Sequence, residues 1–94
     1  MRMYQLTDSK QSRKSFRKLR NSGRFDEAAV AFVLNKLRSG RPLEARYQNH
    51  PLQGKYAGCF ECHIKSDLLL IYEIDAAEEL ITVVDVGSHP ELFR

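Results

Sequence analysis

The side chains in this 94-residue chain best suited to moving protons are three histidines and an aspartate: His50, His63, His89 and Asp67. Imidazole titrates near neutral pH, at about 6.5 when unperturbed, so one ring can take a proton while another gives one, and a nearby carboxylate can fix the tautomer. Each histidine falls at or beside the end of a predicted element: His50 in the loop before Pro51, His63 near the end of a strand, His89 just past the last strand. The strand carrying His63 turns through Ser66 directly into Asp67, which predicts that His63 and Asp67 are neighbours. Along that strand Glu61, His63 and Lys65 share one face at intervals of about 6.6 Å, and Phe60, Cys62 and Ile64 share the other. Two imidazoles acting as acid and base suit RNA cleavage. A base removes the ribose 2′-OH proton, the oxygen attacks the adjacent phosphate, and an acid protonates the departing 5′-oxygen; DNA lacks that hydroxyl. A lone histidine is more often a surface or packing residue, but three at element ends, with an acid between two of them, weaken that reading.

Cys59 and Cys62 form a C-x-x-C that invites a zinc or redox reading. In an extended strand, however, the two thiols point to opposite faces, and there is no second cysteine pair. No metal and no cofactor is expected. Neither a Walker loop nor a dinucleotide-binding glycine fingerprint is present.

The elements that must position these residues read as β-αα-βββ. Met3 to Leu6 is a short strand candidate, and Thr7-Asp8-Ser9 can cap a helix. On that helix Arg13, Arg17, Arg20 and Arg24 fall in one stripe, with Phe16 and Leu19 on an adjacent face. Asn21-Ser22-Gly23 breaks it. A second helix then opens on Asp26-Glu27, runs to about Arg38 and is apolar enough to be the buried partner of a helical hairpin. Three strands follow, Tyr56 to Lys65, Leu68 to Ile74 and Leu80 to Val86, joined closely enough to be antiparallel neighbours. Ser88-His89-Pro90-Glu91 fits a capping box, so the chain should end in a turn or short helix carrying Leu92 and Phe93.

The length allows one domain spanning residues 1–94 and no second core. Hydrophobic residues make up 43% and charged residues 29%, a globular balance that excludes wholesale disorder. No uninterrupted apolar run, Leu68 to Tyr72 included, approaches the roughly 20 residues of a membrane span, and no export signal is evident, so a cytoplasmic protein is expected. Net charge is only +3, yet residues 1–46 carry a net of +8 and residues 47–94 a net of −5. Seven basic residues and no acidic one lie between Ser9 and Phe25, a concentration able to bind a polyanion or an acidic protein partner.

Four stretches taken together, His50 to Tyr56, Glu61 to Asp67, Leu69 to Tyr72 and Gly87 to Phe93, resemble the YafQ branch of the RelE/ParE toxin superfamily. These are bacterial type II toxin–antitoxin toxins that cut mRNA in the ribosome. The resemblance covers essentially the whole chain and implies an α+β, RelE-like fold: an N-terminal strand, a helical hairpin, a three-stranded antiparallel sheet and a short C-terminal turn or helix. It also implies an active site of His50, His63, Asp67, His89 and Phe93. Leu68 stands where the family usually has tryptophan, and Phe60 where it often has arginine. Lys65, Lys55 or Arg46 would then help stabilise the phosphorane charge.

These readings together describe a ribosome-dependent endoribonuclease working by metal-independent histidine acid–base catalysis. Its expected partners are a cognate antitoxin, the ribosome and mRNA. Arg13, Arg17, Arg20 and Arg24 would dock on ribosomal RNA, and DNA would be met only through the antitoxin. Two alternatives keep the fold without the chemistry. One is a noncatalytic interaction protein, either a degenerate toxin or a gyrase inhibitor. The other is a basic module that binds ribosomal RNA or DNA without cutting, which leaves the histidines idle.

Overall fold

A computed structural model describes residues 3–23 and 25–93. β1 (Gln5–Asp8) leads into α1 (Lys10–Ser22), whose N-cap Ser9 accepts the backbone N–H of Ser12 at 3.0 Å and donates its hydroxyl to the carbonyl of Val84 at 2.7 Å. The cap thus ties the helix start to the sheet as well as satisfying a free N–H. Gly23, at φ 74°, ends the helix in the left-handed conformation that a residue without Cβ adopts at least cost. α2 (Glu27–Arg38) starts on Asp26, whose carboxylate accepts the N–H of Ala29.

The remaining elements are short 3₁₀ turns at Ala45–Tyr47 and Gly54–Tyr56, the strands β2 (His50–Pro51), β3 (Phe60–Lys65), β4 (Leu68–Asp75) and β5 (Leu80–Gly87), and α3 (His89–Leu92). The sheet has five strands in the order β1-β5-β4-β3-β2, not the three expected. β1 joins β5 in parallel at one edge. At the other, a two-residue β2 pairs His50 with Glu61 and Pro51 with Phe60. A strand this short and containing proline carries no periodic signal, so His50 read as loop. Tyr56, expected to open the first of the three strands, instead closes the 3₁₀ turn Gly54–Tyr56, with Gly54 at φ 66°, and the strand begins at Phe60.

Both helices cover one face of the sheet. Leu19, Val30, Val33 and Leu37 pack there against Cys62, Ile64, Leu70, Tyr72, Ile81, Val83 and Val86. The opposite face has only a small apolar cluster, Cys59, Leu69, Ile71 and Leu92, flanked by Leu52, Tyr56 and Phe93. This thinly covered face leaves room for polar side chains. Among the described residues, no helix is long and apolar enough to cross a membrane.

Candidate active site

The β2–β3 pairing places His50 directly across from Glu61, and strand alternation puts His63 on the same face two residues further on. The three meet at one atom. Glu61 Oε1 lies 3.0 Å from His50 Nε2 and 3.4 Å from His63 Nε2. His50 Nε2 is hydrogen-bonded to Glu61 and His63 Nε2 lies in ion-pair range of the same oxygen, while His50 has an acceptor facing each of its ring nitrogens and bonds Glu61 or a backbone carbonyl according to its tautomer. His50 Nδ1 sits 3.2 Å from the carbonyl of Pro51. Glu61 is 3% exposed, and among the described residues its buried Oε2 has no hydrogen-bond partner. A buried carboxylate oxygen without a partner is costly in a small domain, and such features concentrate at working sites.

The row of β3–β4–β5 partners running His63, Leu69, Gly87 leads across the sheet to the other half of the site. Ser88 caps α3 as the sequence predicted. Its side chain accepts the N–H of Glu91, and Glu91 Oε1 accepts the N–H of Ser88 at 2.8 Å, both halves of a capping box. Those bonds hold the Glu91 carboxyl below the usual carboxylate range, the backbone N–H of Ser88 contributing most. Asp67 Oδ1 accepts the backbone N–H of His89 at 3.1 Å. The aspartate thus anchors His89, where the sequence suggested His63 as its neighbour. The His89 ring rests on Phe93, with centroids 4.8 Å apart, and Phe93 meets Tyr56 edge-on at 5.7 Å. The Tyr56 hydroxyl donates to the carbonyl of Leu92 at 3.3 Å, fixing α3 to the loop after β2.

Lys65 leaves the face that carries Glu61 and His63. The register shifts between His63 and Lys65, and the ammonium bonds Asp26 at 2.9 Å at the start of α2, so simple alternation fails there. That bond, with the N–H of Ala29, lowers the Asp26 pKa. Lys55 lies over the Tyr56 ring at 5.1 Å, and Arg46 over Tyr47 at 4.8 Å. In the arginine stripe Arg13 meets Asp8 at 3.5 Å and Arg20 meets Glu27 at 3.6 Å, both on the surface. Arg24 lies outside the described residues. Leu68 packs into the helix-side core, and Phe60 stacks on Tyr72 at 5.7 Å.

The cysteines face apart as alternation required, Cys62 in the helix-side core and Cys59 in the cluster on the open face. Burial and the neighbouring Glu61 push the Cys62 thiol up to about 12, so it carries no thiolate at neutral pH. Glu61 is the member of this cluster that the sequence reading did not place in the candidate site. Its signal is the one acid in the strand Phe60–Lys65, on the same face as His63. Tyr56 escapes a sequence reading as well, because its packing on Phe93 joins residues remote in sequence.

A family model described as the bacterial toxin of type II toxin–antitoxin system, YafQ, matches residues 4–94. The chain belongs to that family. The mRNA interferase toxin YafQ of Escherichia coli K12 is 38% identical over 52 residues, which is 55% of this chain and 54% of that protein. This chain spans about half the length of the curated relatives it matches. Solved YafQ-like structures extend the likeness to the whole fold. A metal-bound toxin from Helicobacter pylori superposes with a TM-score of 0.88 at 38% identity, covering 97% of this chain and all of that one. The E. coli DinJ–YafQ toxin–antitoxin complex gives 0.86 at 27% identity, covering 98% and 99%.

Proposed function

We propose that this YafQ-family chain is the toxin of a type II toxin–antitoxin pair: an endoribonuclease that cuts mRNA on the ribosome in the bacterial cytoplasm and is held inactive by a cognate antitoxin. The observation that carries the reading is one buried carboxylate oxygen facing the Nε2 atoms of two imidazoles, with a third imidazole held beside an aromatic ring at the far end of the same face. His50, Glu61 and His63 act together as one proton carrier and phosphate clamp, and His89 acts as the other carrier. The 2′-OH proton passes to the first group as the 2′-oxygen bonds to phosphorus. The bond from phosphorus to the 5′-oxygen breaks as His89 protonates that oxygen. The product is a 2′,3′-cyclic phosphate, which water opens to a 3′-phosphate as the proton movements reverse. Phe93 supplies a face on which a base can stack, and nearby cations such as Lys55 offset the phosphorane charge.

His50, Glu61 and His63 also bring donor atoms within 4.8 Å of one another, a nitrogen and oxygen set suited to copper(II) or zinc. Held there, such an ion would occupy the lone pairs that the proton transfers use, so we place it outside the reaction. Contact with DNA would come through the antitoxin. The test is single-turnover cleavage of mRNA on programmed ribosomes by the wild-type protein and by the His50, His63 and His89 alanine variants. Cleavage that depends on the histidines supports the reading. A folded wild-type protein that leaves mRNA intact while still arresting growth would instead favour a noncatalytic toxin.

A further inference from the structure

β2 pairs only with Phe60 and Glu61, so the outer edge of β3 from Cys62 onward has no partner strand among the described residues. The Ala45–Tyr47 turn lies alongside, leaving a cleft of about 330 Å³. Arg46, Tyr47 and Gln48 line one wall, and His63, Lys65 and Ser66 are on the other. That volume is near the lower bound for a small-ligand site, about 300 Å³. His63 belongs both to this cleft and to the Glu61 cluster, so a strand whose phosphate is held at the cluster reaches the cleft with an adjoining nucleotide.

The lining suits one. It has a cation on each wall and no carboxylate. The surface pairings of Arg46 with Glu44 at 3.7 Å and of Lys65 with Asp26 at 2.9 Å are exposed, and pairs of that kind cost little to exchange for phosphate. Arg46 is braced by the Tyr47 hydroxyl at 2.9 Å. Gln48 (φ 47°) and Ser66 (φ 43°), one on each wall, are two of the three described non-glycine residues in the left-handed conformation, a costly backbone state that clusters at ligand clamps. An amide at such a lip can bond a base edge through both its donor and its acceptor.

We propose that this cleft is the subsite for a nucleotide adjoining the scissile phosphate, with Arg46 and Lys65 on its phosphate and Gln48 on its base edge. The idea rests on the endoribonuclease reading, so its test needs a measurement that does not require cleavage. The backbone amides of Gln48, Lys65 and Ser66 in the full chain should shift when a non-cleavable 2′-deoxy trinucleotide is titrated in. A response confined to residues elsewhere, or none at millimolar concentration, would overturn the subsite. Gln48→Gly keeps the left-handed backbone and deletes the amide, while Gln48→Asn keeps a shorter amide. On ribosomes programmed with all four bases at each position of the codon, Gln48→Gly should reduce the ratio of best to worst base at one position beside the cut by about fivefold or more, with Gln48→Asn falling between. If wild type cuts with a clear base preference and Gln48→Gly retains it, the subsite fails while the nuclease reading stands. If wild type cuts nothing yet the trinucleotide shifts the cleft amides, the nuclease reading fails and the proposal is overturned as a cleavage subsite, the cleft being a nucleotide-binding site alone.

Discussion

Asp67 acts on His89 through the backbone: its Oδ1 accepts the His89 N–H at 3.1 Å, joining the β3–β4 turn to the first residue of α3. The aspartate therefore controls where the ring sits. Asn in its place keeps an oxygen acceptor, whereas Ala removes it. Asp67→Ala should slow single-turnover cleavage by about ten- to a hundredfold, because a displacement on the scale of an ångström is enough for that. Asp67→Asn should recover most of the rate. Equal losses in both variants would mean that the carboxylate charge matters, and would return Asp67 to the reacting groups.

Gly87 and Glu91 set the other side of the same segment. A Cβ built on Gly87 would come 3.1 Å from Glu91 Oε1, the oxygen that completes the capping box, and Lys18 on α1 approaches the other carboxylate oxygen at 3.5 Å. Because folding lowers the Glu91 pKa, its stabilising effect is fully present above the ordinary glutamate range and is lost as pH falls through the lower, folded value. Thermal unfolding followed between pH 3 and 6 should therefore show a smaller loss of stability with acidification in Glu91→Gln than in wild type. At neutral pH that variant should be less stable by about 0.3–1 kcal/mol, the usual scale for a charge lost at a helix N-terminus, because the Gln amide oxygen keeps the acceptor of the capping box. Parallel curves would remove Glu91 from the linkage.

Two arginines of the stripe have an acidic neighbour within the chain, Arg13 in Asp8 and Arg20 in Glu27. Exposed pairs of this kind are worth little and leave the face cationic. Replacing Arg13, Arg17 and Arg20 by Gln should weaken ribosome association and flatten its salt dependence, by roughly one counterion for each phosphate that is no longer neutralised. An unchanged slope in a salt titration would make the stripe solvated surface.

Much of this architecture was legible because its signals are local. The caps at Ser9, Asp26 and Ser88, the left-handed Gly23 and the apolar run at Leu68 to Tyr72 each act within a few residues. What escaped depends on pairing across the sheet. β1 is short and its partner β5 is more than seventy residues away, so nothing local marks it as an edge strand rather than a separate one. His50 gains its place from Glu61 across a two-residue ladder. Lys65 turns away because of a register shift that no periodicity reveals. The histidines and Asp67 could be named from sequence, but the shared oxygen of Glu61 could not, because it requires knowing that β2 exists.

Copper or zinc should inhibit. His50, Glu61 and His63 offer three donor atoms within 4.8 Å of one another, and an ion bound to them competes with the proton for the same lone pairs. Stoichiometric copper(II) should suppress cleavage and EDTA should restore it, while EDTA alone should leave the rate unchanged once the ribosomes are crosslinked. Isothermal titration should show that copper no longer binds when Glu61→Gln is combined with His63→Ala. Activity that rises on adding the ion and vanishes in EDTA would overturn the proton-only mechanism.

The two ends of α3 should fail differently. His89 is exposed at the helix start, its backbone fixed by Asp67 and its ring against Phe93; Phe93 is half-buried and held in turn by Tyr56. A general acid or base typically supplies 10² to 10⁴ in rate, and its contribution is made in the transition state. His89→Ala should therefore lower single-turnover cleavage by about a hundredfold or more with little change in ribosome affinity. Phe93→Ala removes a stacking face, together with the packing that orients the His89 ring. It should slow cleavage through misplacement of the nucleotide, by less than His89→Ala does, and Phe93→Tyr should restore much of the rate because a ring is still present. Both variants are first checked for native folding by circular dichroism. If His89→Ala cleaves within a few-fold of wild type, His89 leaves the chemistry, and His50 and His63, facing one oxygen of Glu61, become the acid and the base.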